Sequence, residues 1–260
     1  MLHATFSANQ RLIVKSQNMK KVYPLILGAL LASSGLQASN VLPSTFHKYE
    51  LQSSPEVKNF HGLAIQGPIQ VFVKMGNTES LRMEADEEVL ASLITEVRGN
   101  ILVIRPKPSI TSWSKKYENK KIVAYVSAKT LTSLTMSGNS SIEVSGTIDA
   151  EELATTLSGS GRITANVAVD KLTSVISGSA HLDVRGTADR VDLTMSGGSR
   201  FAGKNLKVDV LNTRMSGSGQ VDIHAEKSID ALISGSAQVN YSGNASVKKR
   251  VIGSGGVNKI

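Results

Sequence analysis

The sequence predicts an all-β protein that folds as a parallel β-helix, a solenoid whose coils stack on one another. A phrase of the form apolar-Ser-Gly-small-small recurs seven times between Met136 and Val257. Its central glycines lie 21, 19, 19, 20, 18 and 18 residues apart. A period of this length is typical of solenoids whose repeats bury their apolar faces only by stacking. Apolar residues also recur around each glycine with a local period of two, which indicates strands.

Each position in a repeat is counted here from its central glycine, so that +4 is the fourth residue after it. The −2 and +4 positions are apolar in every copy. Because alternate side chains of a strand share a face, +4 and +6 are predicted to point inward and +3 and +5 to face solvent. The central glycines are Gly138, Gly159, Gly178, Gly197, Gly217, Gly235 and Gly253. The +4 residues are Ile142, Ile163, Leu182, Phe201, Val221, Val239 and Val257.

The Ser-Gly phrase predicts a corner at which each coil turns. Glycine adopts positive φ without a steric penalty, and equal positions of successive coils lie only ~4.8 Å apart, so small residues are needed there. Parallel crossovers are right-handed as a rule, which predicts a right-handed helix. Residues 131–260 are therefore expected to form seven regular coils.

The N-terminal segment resembles an export signal. Two lysines, Lys20 and Lys21, precede an apolar run over residues 22–31, and small residues follow up to Ala38. This order predicts a signal peptide over residues 1–38, with Met19 as an alternative start. Residues 39–56 are expected to form a linker.

Composition narrows the class of protein. Removal of residues 1–38 leaves 25 basic and 21 acidic residues, a net charge of +4 instead of +8, which weakens the case for a nucleic-acid partner. The chain has no cysteine, so disulfides and Cys-ligated zinc are excluded. The apolar run is too short to span a bilayer, and no transmembrane segment is expected in the mature chain. An exported protein of the periplasm or cell surface is the simplest interpretation.

Residues 57–130 are expected to form wider, less regular coils that cap the N-terminal end of the helix. They contain a basic insertion at residues 105–121, where Lys115 and Lys116 lie beside the only tryptophan, Trp113. These three residues could bind an anionic glycan or a membrane surface. The alternative is a solvated loop whose tryptophan covers the adjacent coil.

A short helical turn is expected within the same N-terminal segment. Three acids at residues 86–88 precede apolar residues that include Leu93 and Ile94. Acidic residues favour the first turn of a helix, and the apolar residues that follow could form its inner side.

The +3 position carries a short basic stripe formed by Arg162, His181 and Arg200, with Asp183 at +5 beside it. A carboxylate or phosphate of a glycan could bind there, although exposed strand faces of mixed charge are common. The +5 acids Glu143, Asp183 and Asp222 fall on alternate coils, about 10 Å apart, which is too far for a shared acid–base pair. We therefore predict no catalytic residue, metal or cofactor.

Three segments of the chain together resemble the head GIN domain family of exported bacterial proteins. They are Ile65 to Val71 (IQGPIQV), Gly99 to Ile104 (GNILVI) and the tandem Ser-Gly coils. The resemblance covers about residues 57–258 and departs from the pattern at Ile252, where serine is expected. It implies a β-helical fold and export, and it brings no catalytic residues.

The expected function is that of an exported, non-enzymatic, adhesin-like scaffold of the cell envelope. Its partner would be a protein or glycan of the envelope or the exterior. An alternative is a polysaccharide-binding or polysaccharide-cleaving β-helix that uses the face of Arg162, His181, Asp183 and Arg200. A third interpretation is an envelope stress or sensor accessory whose partner is another protein.

Overall fold

Parallel strands stacked coil upon coil form a β-solenoid of about seven turns, as the repeat predicts. The computed structural model describes residues 50–53, 57–108, 117 and 120–260. The predicted signal peptide and most of the predicted linker lie outside these residues. The strands are β1 Glu50–Ser53, β2 Gly62–Gln66, β3 Gln70–Met75, β4 Ser80–Ala85, β5 Leu93–Arg98, β6 Ile101–Pro106, β7 Val123–Ala128, β8 Ser133–Gly138, β9 Ser141–Gly159, β10 Arg162–Gly178, β11 His181–Gly197, β12 Arg200–Gly217, β13 Gln220–Gly235, β14 Gln238–Ser242, β15 Ser246–Ile252 and β16 Gly256–Lys259.

Five regular turns are each one long strand, β9 to β13, that runs from the +3 position to the next corner glycine, and the turn after them is divided between β14 and β15. Strand β10, for example, begins at Arg162 and ends at Gly178, and it pairs in parallel with β9 and β11 along most of its length. Residues at equal repeat positions are register partners on neighbouring strands; Ile163, for example, is paired with Leu182. Register shifts between neighbouring strands, such as that between Asp183 and Gly186, absorb the differences in repeat length.

The N-terminal turns are not stacked in chain order. Strand β2 lies between β6 and β8, and strand β3 lies between β7 and β9. All four pairs are parallel. Strand β4 pairs antiparallel with β7, and β5 pairs antiparallel with β6. The N-terminal end of the regular coils is thereby extended by further strands instead of being left as an open edge.

A short helix and a hairpin precede the insertion. The helix α1 spans Glu87–Ala91, and the β5–β6 hairpin turns at Gly99 and Asn100, both with positive φ. Two consecutive positive φ values are typical of the two-residue hairpin turn that suits twisted strands. Leu93 and Ile94 belong to β5 and not to the helical turn that the sequence predicts there.

The apolar columns form the interior of the solenoid. Every +4 side chain is buried, and the −2 side chains are buried in all turns except the last, where Val251 is half-buried. Burial of one large apolar side chain stabilises a fold by roughly 1.5–3 kcal/mol, so the columns supply the main driving force. At the single turn with Phe201 at +4, the +6 residue is Gly203, and a Cβ there would lie 2.6 Å from the Phe201 ring.

The corner glycines form a ridge in which each backbone lies against the one before. Gly178 has a φ of +81°, and a Cβ on it would lie 2.5 Å from the carbonyl oxygen of Gly159. Both the backbone conformation and the close approach exclude larger residues. The ridge fixes where each long strand begins, and so aligns the +3 and +5 side chains of successive turns.

Candidate functional site

The +3 and +5 side chains of successive turns form one outward surface, called here the outward face. In register along the +3 position lie Arg162 on β10, His181 on β11 and Arg200 on β12. Adjacent strands are ~4.8 Å apart, so the three residues of the predicted basic stripe are direct neighbours. On the +5 position of the same strands lie Thr164, Asp183 and Ala202.

His181 lies half-buried between the two arginines. Burial, followed by the positive charges of Arg162 and Arg200, lowers the pKa of His181 below its ordinary value of 6.5. Both effects favour the neutral form of the imidazole over the charged form. Asp183, two residues along the same strand, has its Oδ1 3.6 Å from Nε of Arg185, so that its charge is shared with an arginine outside the stripe.

Asp222 is the most enclosed charged group of the outward face, with 2% of its surface exposed. Arg200 Nη2 lies 2.7 Å from its Oδ2, and the amides of Gln220 and Asn240 each donate to its Oδ1 at 3.0 Å. Burial raises the pKa of Asp222, but the hydrogen bonds from Asn240 and Gln220 and the charges of Arg200 and Lys204 outweigh it and hold the pKa below its usual value. Asp222 is thus a buried carboxylate, which corrects the expectation that +5 side chains face water.

The hydrogen bonds around Asp222 distinguish Arg200 from the other arginine of the predicted stripe, Arg162. Arg200 is engaged by a carboxylate, while Arg162 has no ion pair within the described part of the chain. The acids Glu143, Asp183 and Asp222 fall on alternate strands, separated by Thr164 and Ala202. Of the two arginines in the stripe, Arg162 is therefore the one whose guanidinium forms no ion pair with a described residue.

A depression of about 360 Å³ adjoins Arg162 at the corner, and it is called here the corner depression. Its lining includes Lys121 from the end of the basic insertion and Gln70, Asn139 and Ser160 from three successive strands or corners. Lys120 also lines it, and its Nζ lies 2.6 Å from Oδ2 of Asp86. The predicted residues Trp113, Lys115 and Lys116 lie outside the described residues.

A pair of stacked aromatic rings at the N-terminal end of the outward face was not predicted from the sequence. Phe72 on β3 and Tyr125 on β7 are stacked, with ring centroids 5.7 Å apart, and the guanidinium of Arg82 lies 4.5 Å from the centroid of Tyr125. Phe72 is in register with Glu143, so the stack continues the +5 position beyond the regular repeats. Only the pairing of β3 with β7, strands far apart in the sequence, brings the two rings together.

A second polar cluster, also missed, lies on a later part of the coils. His224 Nε2 lies 2.8 Å from Oε1 of Glu226, and its Nδ1 lies 2.9 Å from the hydroxyl of Ser242. Asn244 donates to the other oxygen of Glu226 at 3.0 Å. Hydrogen bonds from His224 and Asn244 lower the pKa of Glu226. All four side chains satisfy one another, as expected of a structural cross-link between coils.

Over the part of the chain that the structure describes, no group of three or more His, Cys, Asp or Glu side chains could hold a metal ion. No helix among the described residues is long and apolar enough to cross a membrane.

Comparison with known protein families gives a match over most of the described chain. The family model described as "Putative auto-transporter adhesin, head GIN domain" matches residues 59–245. The comparison with curated proteins found no match.

Solved structures with the same fold come from Bacteroides and Parabacteroides. A putative adhesin from Bacteroides fragilis NCTC 9343 is 19% identical and superposes with a TM-score of 0.72, covering 82% of this chain and 97% of its own. A putative adhesin from Parabacteroides distasonis ATCC 8503 is 20% identical, with a TM-score of 0.66 and coverages of 82% and 98%. A putative lipid binding protein from the same strain is 22% identical, with a TM-score of 0.63 and coverages of 82% and 96%. At these identities the likeness establishes the fold.

Proposed function

Because the chain belongs to the head GIN domain family, we propose that it is an exported, non-enzymatic, adhesin-like protein of the cell envelope. The solenoid would act as a rigid support that presents an elongated surface to a partner outside the cytoplasm. The family and two structural relatives are described as putative adhesins, which supports this role. The basic n-region, apolar run and small residues of positions 1–38 support export.

The observation that carries the proposal is the in-register array of the outward face. Arg162, His181 and Arg200 stand side by side on three neighbouring strands, held by backbone pairing on both sides. Binding constellations on strands keep their geometry better than those on loops. Such a row offers an extended partner a series of equivalent contacts, as a binding scaffold requires.

The carboxylates of this face support binding over cleavage. Asp222 accepts hydrogen bonds from three side chains and is almost fully buried, and Asp183 lies beside Arg185. Glu143, the remaining acid, is exposed and is in register with Thr164 and Phe72 on the two neighbouring strands. A pair of carboxylates acting on one bond would have to approach it together, and these acids lie about 10 Å apart.

Location and adhesion test the proposal in the cells that make the protein. Fractionation with an antibody against the purified chain should find it in the periplasm or on the surface, and protease treatment of intact cells separates these two locations. A strain that lacks the gene should adhere less to envelope or matrix material than the same strain with the gene restored. Retention in the cytoplasm, or equal adhesion of both strains, would contradict the proposal.

A second candidate function is cleavage of an acidic polysaccharide, and the position of His181, in register between Arg162 and Arg200, is the observation that favours it. The imidazole could accept the proton next to the sugar carboxylate while an arginine binds that carboxylate. The electrons of the broken C–H bond would form a C=C bond as the neighbouring glycosidic oxygen leaves and takes a proton from water. Incubation with polygalacturonate would then give unsaturated products or new reducing ends. That activity, if lost in both His181→Ala and Asp183→Ala, would replace the binding proposal with an enzymatic one.

A further inference from the structure

The corner depression combines a cavity with two basic side chains that form no ion pair with described residues. At about 360 Å³, its volume falls in the range of sites that hold small ligands or single sugar units. Lys121 and Arg162 line it, both are exposed, and neither forms an ion pair with any described residue. Among the described lining residues none carries a carboxylate. The depression therefore presents two cations, with no acidic side chain among its described lining residues.

The same cavity is rich in uncharged hydrogen-bonding side chains. The amides of Gln70 and Asn139 and the hydroxyls of Ser141 and Ser160 line it beside the two cations. Gln70 and Ser141 are in register with each other, and Ser141 is in register with Arg162. Amides and hydroxyls that both donate and accept hydrogen bonds suit the hydroxyl groups of a sugar.

The depression opens onto the row of the outward face. His181 follows Arg162 on the next strand, and Arg200 follows His181. Arg200 is held by the buried carboxylate of Asp222, so its free charge is reduced, while Arg162 and Lys121 keep theirs. Two acids face the row from the +5 position: Glu143, which is exposed, and Asp183, which is close to Arg185.

We propose that the corner depression and the adjoining Arg162–His181 row bind an acidic polysaccharide, carboxylated or sulfated, that runs along the solenoid axis. Lys121 and Arg162 would each contact an acidic group, and the amides and hydroxyls would contact sugar hydroxyls. This inference rests on the proposed function and names the ligand class of the same surface. Guanidinium groups bind carboxylates and sulfates through paired N–H donors, which makes Arg162 the principal contact.

The apolar surface of the chain argues against a lipid bilayer as the occupant. The large apolar side chains exposed in the described residues are Val175, Leu232, Val247, Ile252 and Ile260. None of them lines the depression or occupies the +3 or +5 position. A peripheral membrane site usually adds apolar insertion to basic charge, and here the two are separated on the molecule. A linear polyanion needs only the charge and the polar donors.

The test is a binding measurement with the purified mature chain and three immobilised polymers: dextran sulfate, polygalacturonate and neutral dextran. We expect binding to at least one acidic polymer, weakening with added salt, and none to neutral dextran. The double variant Lys121→Gln with Arg162→Gln should bind the acidic polymer at least about tenfold more weakly, because two direct contacts are lost.

The matched control is the double variant Arg190→Gln with Lys207→Gln. Both residues are exposed, and neither lines the depression, yet the change in net charge is the same. We expect its affinity to stay within about twofold of that of the unaltered protein, as long-range charge effects are screened by salt. Circular dichroism and the unfolding midpoint confirm that both variants remain folded.

Three outcomes would overturn the inference. They are an equal loss of affinity in the control variant, no binding to either acidic polymer, and equally tight, equally Arg162-dependent binding to duplex DNA or to phosphatidylglycerol vesicles. The adhesion assay separates this inference from the proposed function. If the Lys121→Gln, Arg162→Gln strain adheres normally, the protein is still an adhesin and the polysaccharide site is wrong.

Discussion

Nη2 of Arg200 lies 2.7 Å from Oδ2 of Asp222, so that the +3 side chain of one turn closes over the +5 side chain of the next. The arginine side chain is 44% exposed and the aspartate side chain only 3%. The pair therefore joins two coils through a carboxylate shielded from water. This contact determines which arginine of the outward face remains free to bind a ligand.

The first prediction concerns the strength of this pair. Arg200→Ala should reduce the free energy of unfolding by about 1–3 kcal/mol, because it removes a charged hydrogen-bond donor from a buried carboxylate. A double-mutant cycle of Arg200→Ala with Asp222→Ala should give a coupling energy of about 1–3 kcal/mol, measured by urea unfolding.

The control for this cycle is the exposed pair of Lys227 and Asp209. Its Nζ–Oδ2 distance is 2.8 Å, almost the same, but its side chains are 69% and 34% exposed. Water screens such a pair, so its coupling energy should not exceed about 1 kcal/mol. Equal coupling energies for the two pairs would show that the enclosure of Asp222 has no energetic consequence.

The second prediction concerns the stability of the fold at low pH. The pKa of Asp222 is lowered from its ordinary value of 3.8 in the folded protein, so the carboxylate stabilises the fold above that pH. This contribution is lost as the pH falls through the lowered, folded value. The unaltered protein should therefore be more stable than Asp222→Asn at pH 7, with a difference that shrinks over the pH interval below 3.8. A constant difference over that interval would contradict the assignment.

The third prediction concerns the corner ridge. Gly178→Ala should be strongly destabilising, by about 2 kcal/mol or more, because a left-handed backbone and a contact with the Gly159 carbonyl both oppose a Cβ. At Gly198, the residue after the corner glycine Gly197, a Cβ would have only Ser218 Oγ within 4 Å, at 3.8 Å. Gly198→Ala should change the free energy of unfolding by less than about 1 kcal/mol. Similar costs at both positions, measured by urea unfolding, would mean that the ridge is not close-packed.

The fourth prediction couples two interior positions of one turn. Gly203→Ala places a methyl group 2.6 Å from the ring of Phe201, and overpacking of this kind costs about 1–3 kcal/mol. Phe201→Leu together with Gly203→Ala gives a pair similar to Ile163 and Ala165, which occupy these positions two turns earlier. Thermal unfolding should therefore find the double variant more stable than Gly203→Ala alone. A double variant no more stable than Gly203→Ala alone would contradict this packing.

The solenoid follows from the sequence because its determinants repeat. Each turn repeats the same glycine, an apolar −2 residue and an apolar +4 residue, so that seven weak signals indicate one arrangement. The exceptions are positions where a tertiary contact determines the secondary structure. The local pattern at Leu93 and Ile94 predicts a helical turn, but pairing with β6 through the Gly99–Asn100 turn makes them part of a strand.

The outward face follows from the sequence only in part. The repeat alone predicts that Arg162, His181 and Arg200 lie next to one another, since residues at equal repeat positions are in register. The burial of Asp222 cannot, because it depends on which rotamers Arg200, Gln220 and Asn240 adopt around it. The corner depression is equally hidden in the sequence, as Lys121 reaches it only through the pairing of β7 with β3.

The register of the outward face is the central claim, and a disulfide tests it most directly because the natural chain contains no cysteine. Thr164 and Asp183 are in-register partners on adjacent strands, within the separation of about 4.4–6.8 Å that a disulfide requires between Cα atoms. Thr164→Cys with Asp183→Cys should form an intramolecular disulfide under mild oxidation, detected by intact mass, whereas Thr164→Cys with Ala202→Cys, two strands apart, should not. Free thiols in the first pair, or a disulfide in the second, would contradict the stacked arrangement.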